Sequence, residues 1–268
     1  EKAKDIVDVV FLGTGGDEIL GGYKRYNALN VAKLYTKIPG YSLVNEFMQD
    51  VLGRLRLGAY HYSFSYRLQK FFHTMQADIF KTNEALLFGD YENLRKSLIL
   101  AEVLNNCNKE PSINRYYQLT DCDNFLKKVF IADCYSDLVS EQLTRGLIPL
   151  DEHGIDYRVP FSDPDFMEYC LGIPNEYKFN FIETKVIYKA AVSSILPKRI
   201  INEKKRGMSH PVSLWFQGSL YETLKSVISK ENSALQNYFN IDFLRVAADE
   251  HYTKKRDWGK LLWKMMGR

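Results

Sequence analysis

The stretch Val7-Asp8-Val9-Val10-Phe11-Leu12-Gly13-Thr14-Gly15-Gly16-Asp17-Glu18-Ile19-Leu20-Gly21-Gly22-Tyr23 decides how this chain is read. Its first part is short, β-branched and aromatic and is closed by glycines, which predicts a strand buried on both faces. A sharp turn must follow. Gly13, Gly15 and Gly16 allow backbone conformations that a Cβ would forbid, and they let main-chain N–H groups approach an anion. Asp17 and Glu18 come next, adjacent carboxylates at the predicted start of a helix. Negative charge suits the helix dipole there, and Mg²⁺ on a phosphate could be held. A Gly-rich turn before a helix can equally be a turn and nothing more.

Around this stretch, 268 residues are enough for one large domain, or for most of one with a helical appendage. Lys and Arg total 36 and Asp and Glu 33; the resulting net charge of +3 gives no argument for nucleic acid or a membrane surface. Cys107, Cys122, Cys134 and Cys170 form no C-x-x-C pair and no metal-like spacing, so reduced, mostly buried thiols and a cytoplasmic setting are expected. Neither a signal peptide nor an apolar run of membrane-spanning length occurs. The chain opens on Glu1 just ahead of the predicted strand, and it is expected to be the C-terminal part of a longer polypeptide.

Beyond Tyr23 the pattern turns helical. Val31, Leu34, Tyr35 and Ile38 fall at helical spacing before Pro39-Gly40, and Ser42 to Arg56 predicts a helix with Leu43, Val44, Phe47, Met48, Val51, Leu52 and Leu55 on its apolar face. The aromatic run from Tyr60 to Phe72, mixed with Arg67, Lys70 and His73, could stack bases, but without a basic footprint it reads as packing. Further helices are expected over 83–106 and 124–141, with a polar connection at 105–114 and no domain boundary between them.

Two later segments carry information. In Asp156-Tyr157-Arg158-Val159-Pro160-Phe161-Ser162-Asp163, an Arg before a Pro-Phe turn gives a fixed guanidinium. Arg158 is read either as an ion pair with Asp133, Asp156 or Asp163, or as a contact to nucleotide or substrate. Thr184-Lys185 opens a helix that ends near Leu196-Pro197, and Lys204-Lys205-Arg206-Gly207 follows, read as a solvated loop or as charge brought to a phosphate.

Together these strings resemble the synthetase domain of glutamine-dependent asparagine synthetases and their relatives, the β-lactam synthetases and lasso-peptide cyclases. The first stretch is similar to that family's Ser-Gly-acid-Gly-small-Asp-Glu-x-x-Gly-Gly-Tyr signature, and the second to its Glu-x-Arg-x-Pro-Phe-x-Asp string, with Asp133 at the family's separation from Arg158. The third is similar to its Thr-Lys helix, Lys loop and Trp, here Lys205 and Trp215, and His251, Leu262 and Trp263 resemble its final helix. At Arg145 to Asp151 the likeness lapses, because the family's Asp, Arg and Ser are absent there.

The resemblance implies an α/β fold, a parallel sheet of the adenine-nucleotide α-hydrolase type with a large helical region, of which residues 1–268 form the later part. It implies ATP and Mg²⁺ as cofactors, a small-molecule carboxylate adenylated with loss of pyrophosphate, and ammonia or an amine as acceptor. By carry-over Asp17 and Glu18 hold the metal, Gly13, Thr14, Gly15, Gly16 and Arg158 line the ATP and pyrophosphate site, and Lys205 is catalytic. An N-terminal glutaminase domain is the implied partner in the full-length protein. Neither it nor the family's Ser-Gly-Gly-x-Asp-Ser pyrophosphate loop occurs in this sequence. The 268-residue chain alone is therefore expected to show no ATP–pyrophosphate exchange, which a radiolabel exchange assay checks. Three functions remain open at this point: asparagine synthesis, an amide-forming ligase or cyclase of natural-product assembly, and a non-catalytic remnant.

Overall fold

The leading strand forms, shorter than its apolar run: β1 spans Val9–Phe11 and pairs in parallel with β2, Asp156–Arg158. The register sets Val9 against Asp156, Val10 against Tyr157 and Phe11 against Arg158. The computed structural model describes residues 4–54, 64–88, 91–106, 113–203, 211–229 and 234–266. Among these residues the architecture is mostly helical α/β, and its sheet has only these two strands. Burial on both faces does not hold, since Val9 is 40% and Phe11 73% exposed. β-branching favours the extended backbone whatever covers it, whereas burial needs packed layers that a two-stranded sheet here lacks.

Although the sequence shows no sign of a domain boundary, contacts divide the chain into two compact units, one of Glu1–Pro39, Gln76–Asn83 and Glu110–Lys204, the other of Gly40–Met75, Glu84–Lys109 and Lys205–Arg268. In the first, the helix α1, Gly16–Leu20, starts from a left-handed Gly15 and ends at a left-handed Gly21. It buries Ile19 and Leu20 against Cys134 and Cys170, with Phe161, Met167, Ile187 and Tyr188 around them. The next helix, α2, Lys24–Tyr35, buries Tyr26, Leu29 and Ala32. Its predicted apolar residues Val31, Leu34 and Ile38 are exposed instead. Aromatic packing decides this face. Tyr26 meets Phe130 edge-on with centroids 4.4 Å apart, and Phe179 closes the group.

In the second unit the helix α3, Tyr41–Arg54, forms where predicted, but with its apolar stripe outward: Leu43, Val44, Phe47 and Val51 are exposed, while Asn45 and Leu52 are buried. Helical spacing sets which residues share a face, not which face the rest of the unit covers. The core here is Phe216, Leu224, Ile228, Leu244, Leu262 and their neighbours. Phe71 and Phe72 pack edge to face within the helix Phe64–Thr74, whereas Tyr60 and Tyr62 lie outside the described residues.

Ser213, His251 and Asp257 meet in this unit without forming a nucleophile relay. The Trp258 N–H donates to His251 Nδ1 at 3.0 Å, so the ring proton sits on Nε2 and goes to the Ser213 carbonyl at 2.9 Å, while Ser213 Oγ donates to Asp257. His251 is a buried strut. Cys122, Cys134 and Cys170 are free thiols; Cys107 lies outside the described residues. No described helix is long and apolar enough to cross a membrane.

Candidate active site

The Gly-rich turn and the Pro-Phe turn, far apart in sequence, meet at the ends of the two strands. Leu12 N–H donates to the Arg158 carbonyl at 2.9 Å, and Ser162 Oγ donates to the Thr14 carbonyl at 3.3 Å. Gly15 has φ 102°, and a Cβ on it would lie 2.8 Å from Ser162 Oγ and 3.2 Å from the Phe161 carbonyl. Glycine is required there on both counts. Gly13, by contrast, has open space where a side chain would project.

Arg158 lines an open cleft of about 480 Å³ with Phe11, Pro160, Ser162 and Asp163. Among the aspartates considered for it, Asp156 is the ion-pair partner, Oδ1 lying 2.6 Å from Nη1. The hydrogen bond from Arg158 holds the Asp156 carboxyl below its usual range. Both side chains are more than half exposed, so the pair contributes little and leaves the guanidinium accessible. Asp133 is instead taken by Arg25 at 2.5 Å.

Asp17 forms an ion pair with Lys185, Nζ to Oδ1 2.9 Å, both side chains partly exposed. The paired glycines of the signature acquire a reason here. Gly22 donates its N–H to the Asp17 carbonyl at 2.8 Å, and a Cβ on Gly22 would collide with the Asp17 carboxylate and come within 2.6 Å of Lys185 Cε. Lys185 has φ 56°, a left-handed conformation unusual outside glycine, just ahead of the helix Val186–Ala191. Lys185, expected as a helix opener, does stand at the helix start, and its place beside Asp17 matches the Thr184-Lys185 pair of the resemblance.

Glu18 lies next to Asp17 in sequence, yet its side chain is fully buried. Oε1 accepts from Tyr23 Oη at 2.5 Å and from Gln142 Nε2 at 2.6 Å, and Gln142 also reaches Asp137 at 2.8 Å. Asp137 and Gln142 share a face because Cys134–Leu143 is π-helical, a form that sets residues five apart in line. Behind them Tyr26 Oη donates to Asp133 at 2.7 Å. Burial, reinforced by Glu18, pushes the Tyr23 hydroxyl well above its usual value, and burial lifts Asp133 to about 6 despite Arg25. The network thus begins at the residue that follows Asp17.

Lys178 sits in the same unit, fully buried, its Nζ without a hydrogen-bond partner and 4.8 Å above the Phe130 ring. Burial lowers its amine to about 8. A base depressed in the folded state binds fewer protons than the unfolded chain between that value and its ordinary one, so stability rises with pH across that window. Lys178→Met is expected to be more stable than the parent by about 2 kcal/mol at pH 7, the desolvation relief exceeding the lost ring contact. The difference should shrink toward pH 10, and paired melting curves across that range check it.

Lys205, with the rest of 204–210, lies outside the described residues. Among the described residues no group of three or more His, Cys, Asp or Glu side chains is arranged to hold a metal. Asp17 nevertheless fits as a single carboxylate ligand: it already has a cation at ion-pair distance in Lys185, and Mg²⁺ on a nucleotide needs only one or two carboxylates beside phosphates and water. Glu18, committed to Tyr23 and Gln142, has no such free geometry at Oε1.

Comparison with known proteins adds to this geometry. Residues 1–267 match the family described as asparagine synthase. The chain is similar to asparagine synthetase [glutamine-hydrolyzing] 1 of Bacillus subtilis, 23% identical over 266 residues, 99% of this chain and 40% of that relative. It is similar over shorter spans to the amidase chyE of Penicillium rubens, 24% identical over 39% of this chain and 16% of that protein. A putative asparagine synthetase of Mycobacterium bovis is 24% identical over 42% of this chain and 17% of its own length. The chain thus spans less than half the length of these curated relatives. No solved structure matches it significantly.

Proposed function

The chain belongs to the asparagine synthase family, and from that premise we propose that it is the later part of an ATP-dependent amidoligase, which adenylates a carboxylate and passes the acyl group to ammonia or an amine. The observation that carries the reading is Asp17, held on a Gly-rich turn at the end of a parallel strand with a lysine ammonium 2.9 Å from its carboxylate. In this reading backbone amides of the Gly13 to Gly16 turn receive phosphate oxygens. Asp17 holds Mg²⁺, whose chemistry is to neutralise the nucleotide phosphates. Lys185 would then turn from Asp17 toward phosphate charge, and Arg158 offers its exposed guanidinium to an anion in the adjoining cleft. Lys205 stabilises charge on the departing pyrophosphate. Glu18 belongs to the buried network with Tyr23 and Gln142, and Asp17 is the carboxylate proposed for the metal.

A second reading has an observation in its favour. Where asparagine synthetases carry an acid and β-lactam synthetases a Tyr, this chain has Thr14, whose hydroxyl is uncharged at neutral pH and a weak base. Leu12 replaces the family's Ser beside it, and the partial likeness to an amidase of a different name fits a changed acceptor or acid. The complete protein is expected to adenylate a carboxylate but to make asparagine poorly. With aspartate, ATP and ammonia, turnover of about one per second, an ordinary enzymatic rate, would return it to plain asparagine synthesis.

A further inference from the structure

A second cleft lies beside α2, lined by residues other than those assigned above. It encloses about 680 Å³, within the range of small-ligand sites. Asn27 and Asn30 of α2, Asn124 at the start of the helix Phe125–Asp133, and Asn175 and Asn180 around the helix Asn175–Lys178 all line it. Their mutual bonds leave much unspent. Asn27 Nδ2 donates to the Asn180 carbonyl, Asn175 Nδ2 to Asn124 Oδ1, and Asn180 Oδ1 accepts from the Ile182 and Glu183 N–H groups. Among the described residues Asn27 Oδ1, Asn124 Nδ2, Asn175 Oδ1, Asn180 Nδ2 and the whole carboxamide of Asn30 make no hydrogen bond.

We propose that this cleft binds an extended peptide segment through its main chain. A carboxamide offers one acceptor and two donors, which matches the alternating C=O and N–H of an extended backbone, and five carboxamides provide several such pairs. Asp123 and Glu176 on the rim outnumber Lys33, favouring a basic side chain, and Phe181, 72% exposed, offers an apolar contact. A sugar would favour being stacked between aromatic faces, and of the three phenyl rings lining the cleft Phe125 has Lys33 Nζ over it at 4.4 Å and Phe179 packs on Tyr26 and Phe130, which leaves Phe181 as a single open face. The site also adjoins the chemistry, since the turn capped by Asn180 leads directly into Lys185.

The test is calorimetric titration of the 268-residue chain with the capped tetrapeptide acetyl-Ala-Lys-Leu-Ala-amide, no nucleotide being needed, so its outcome is separate from that of the ligase reading. Binding with a dissociation constant below about 1 mM is expected, weakened about fivefold by Asn30→Ala and equally by replacing the central amide bond with an ester, each removing one hydrogen bond. Among the described residues Asn30 makes no side-chain hydrogen bond, and if its variant fails to fold the ester comparison on the parent chain decides alone. Absence of binding, equal affinity for amide and ester, or tighter binding of cellotetraose than of the peptide would each overturn the proposal.

Discussion

Asp17→Asn in the complete protein is expected to lower ATP–pyrophosphate exchange by about a thousandfold, some 4 kcal/mol of transition-state stabilisation. The change keeps size and shape and removes one charge, and on the proposed reading it reports on metal positioning, since Glu18 beside it is buried with Oε1 bonded to Tyr23 and Gln142. Asp17 also pairs with Lys185, so a structural share must be separated. Both side chains are partly exposed, and such a pair contributes no more than about 1 kcal/mol to folding. Lys185→Met is therefore expected to leave the melting temperature nearly unchanged, as is Asp17→Asn, while exchange collapses in the latter. Raising Mg²⁺ should recover part of the lost rate. Unchanged exchange in Asp17→Asn would remove Asp17 from the metal role.

What the sequence made legible was local. Gly13, Gly15 and Gly16 together announced a turn that a Cβ would forbid, and the structure has this at Gly15, with φ 102° and Ser162 and Phe161 packed against the space a Cβ would need, but not at Gly13, where that space is open. The parallel pairing of Val9–Phe11 with Asp156–Arg158 agrees with the parallel sheet the resemblance implied. Both follow from short-range sterics or from strings long enough to be specific. The burial of β1 and the inward faces of α2 and α3 did not follow, because periodicity groups residues by face without naming the face that is covered. Val9 and Phe47 are apolar for reasons their exposed state here does not use.

The site was legible in its types and not in its partners. Adjacent acids at 17 and 18 looked equivalent on paper, yet one helix turn aims Asp17 at Lys185 and drives Glu18 into a buried network with Gln142, a residue that no motif singled out. That divergence depends on the π-helical Cys134–Leu143 segment, whose five-residue alignment of Asp137 and Gln142 an ordinary helical reading would not produce. Arg158 likewise had three aspartates to choose from, and Asp133 was removed from the choice by Arg25, a residue outside every motif.

Lys205→Ala carries the second large effect, and it tests the transition state rather than the bound substrate. A lysine that neutralises charge accumulating as pyrophosphate departs does little for ATP in its ground state, where on the proposed reading metal and backbone amides would already face the phosphates. Turnover is expected to fall about a hundredfold or more while the dissociation constant for ATP changes less than about threefold. Arginine at 205 should restore only part of the loss, because its planar fork cannot reproduce a compact ammonium that must follow a moving charge. The neighbouring Lys204 and Arg206 provide the internal control. If the run were a solvated loop whose charges act together at long range, Lys204→Ala and Lys205→Ala would have similar small effects, both suppressed by salt. A hundredfold loss confined to position 205, insensitive to about 0.3 M salt, separates a group at the reacting phosphate from a basic loop. An effect limited to the Michaelis constant would assign Lys205 to binding alone.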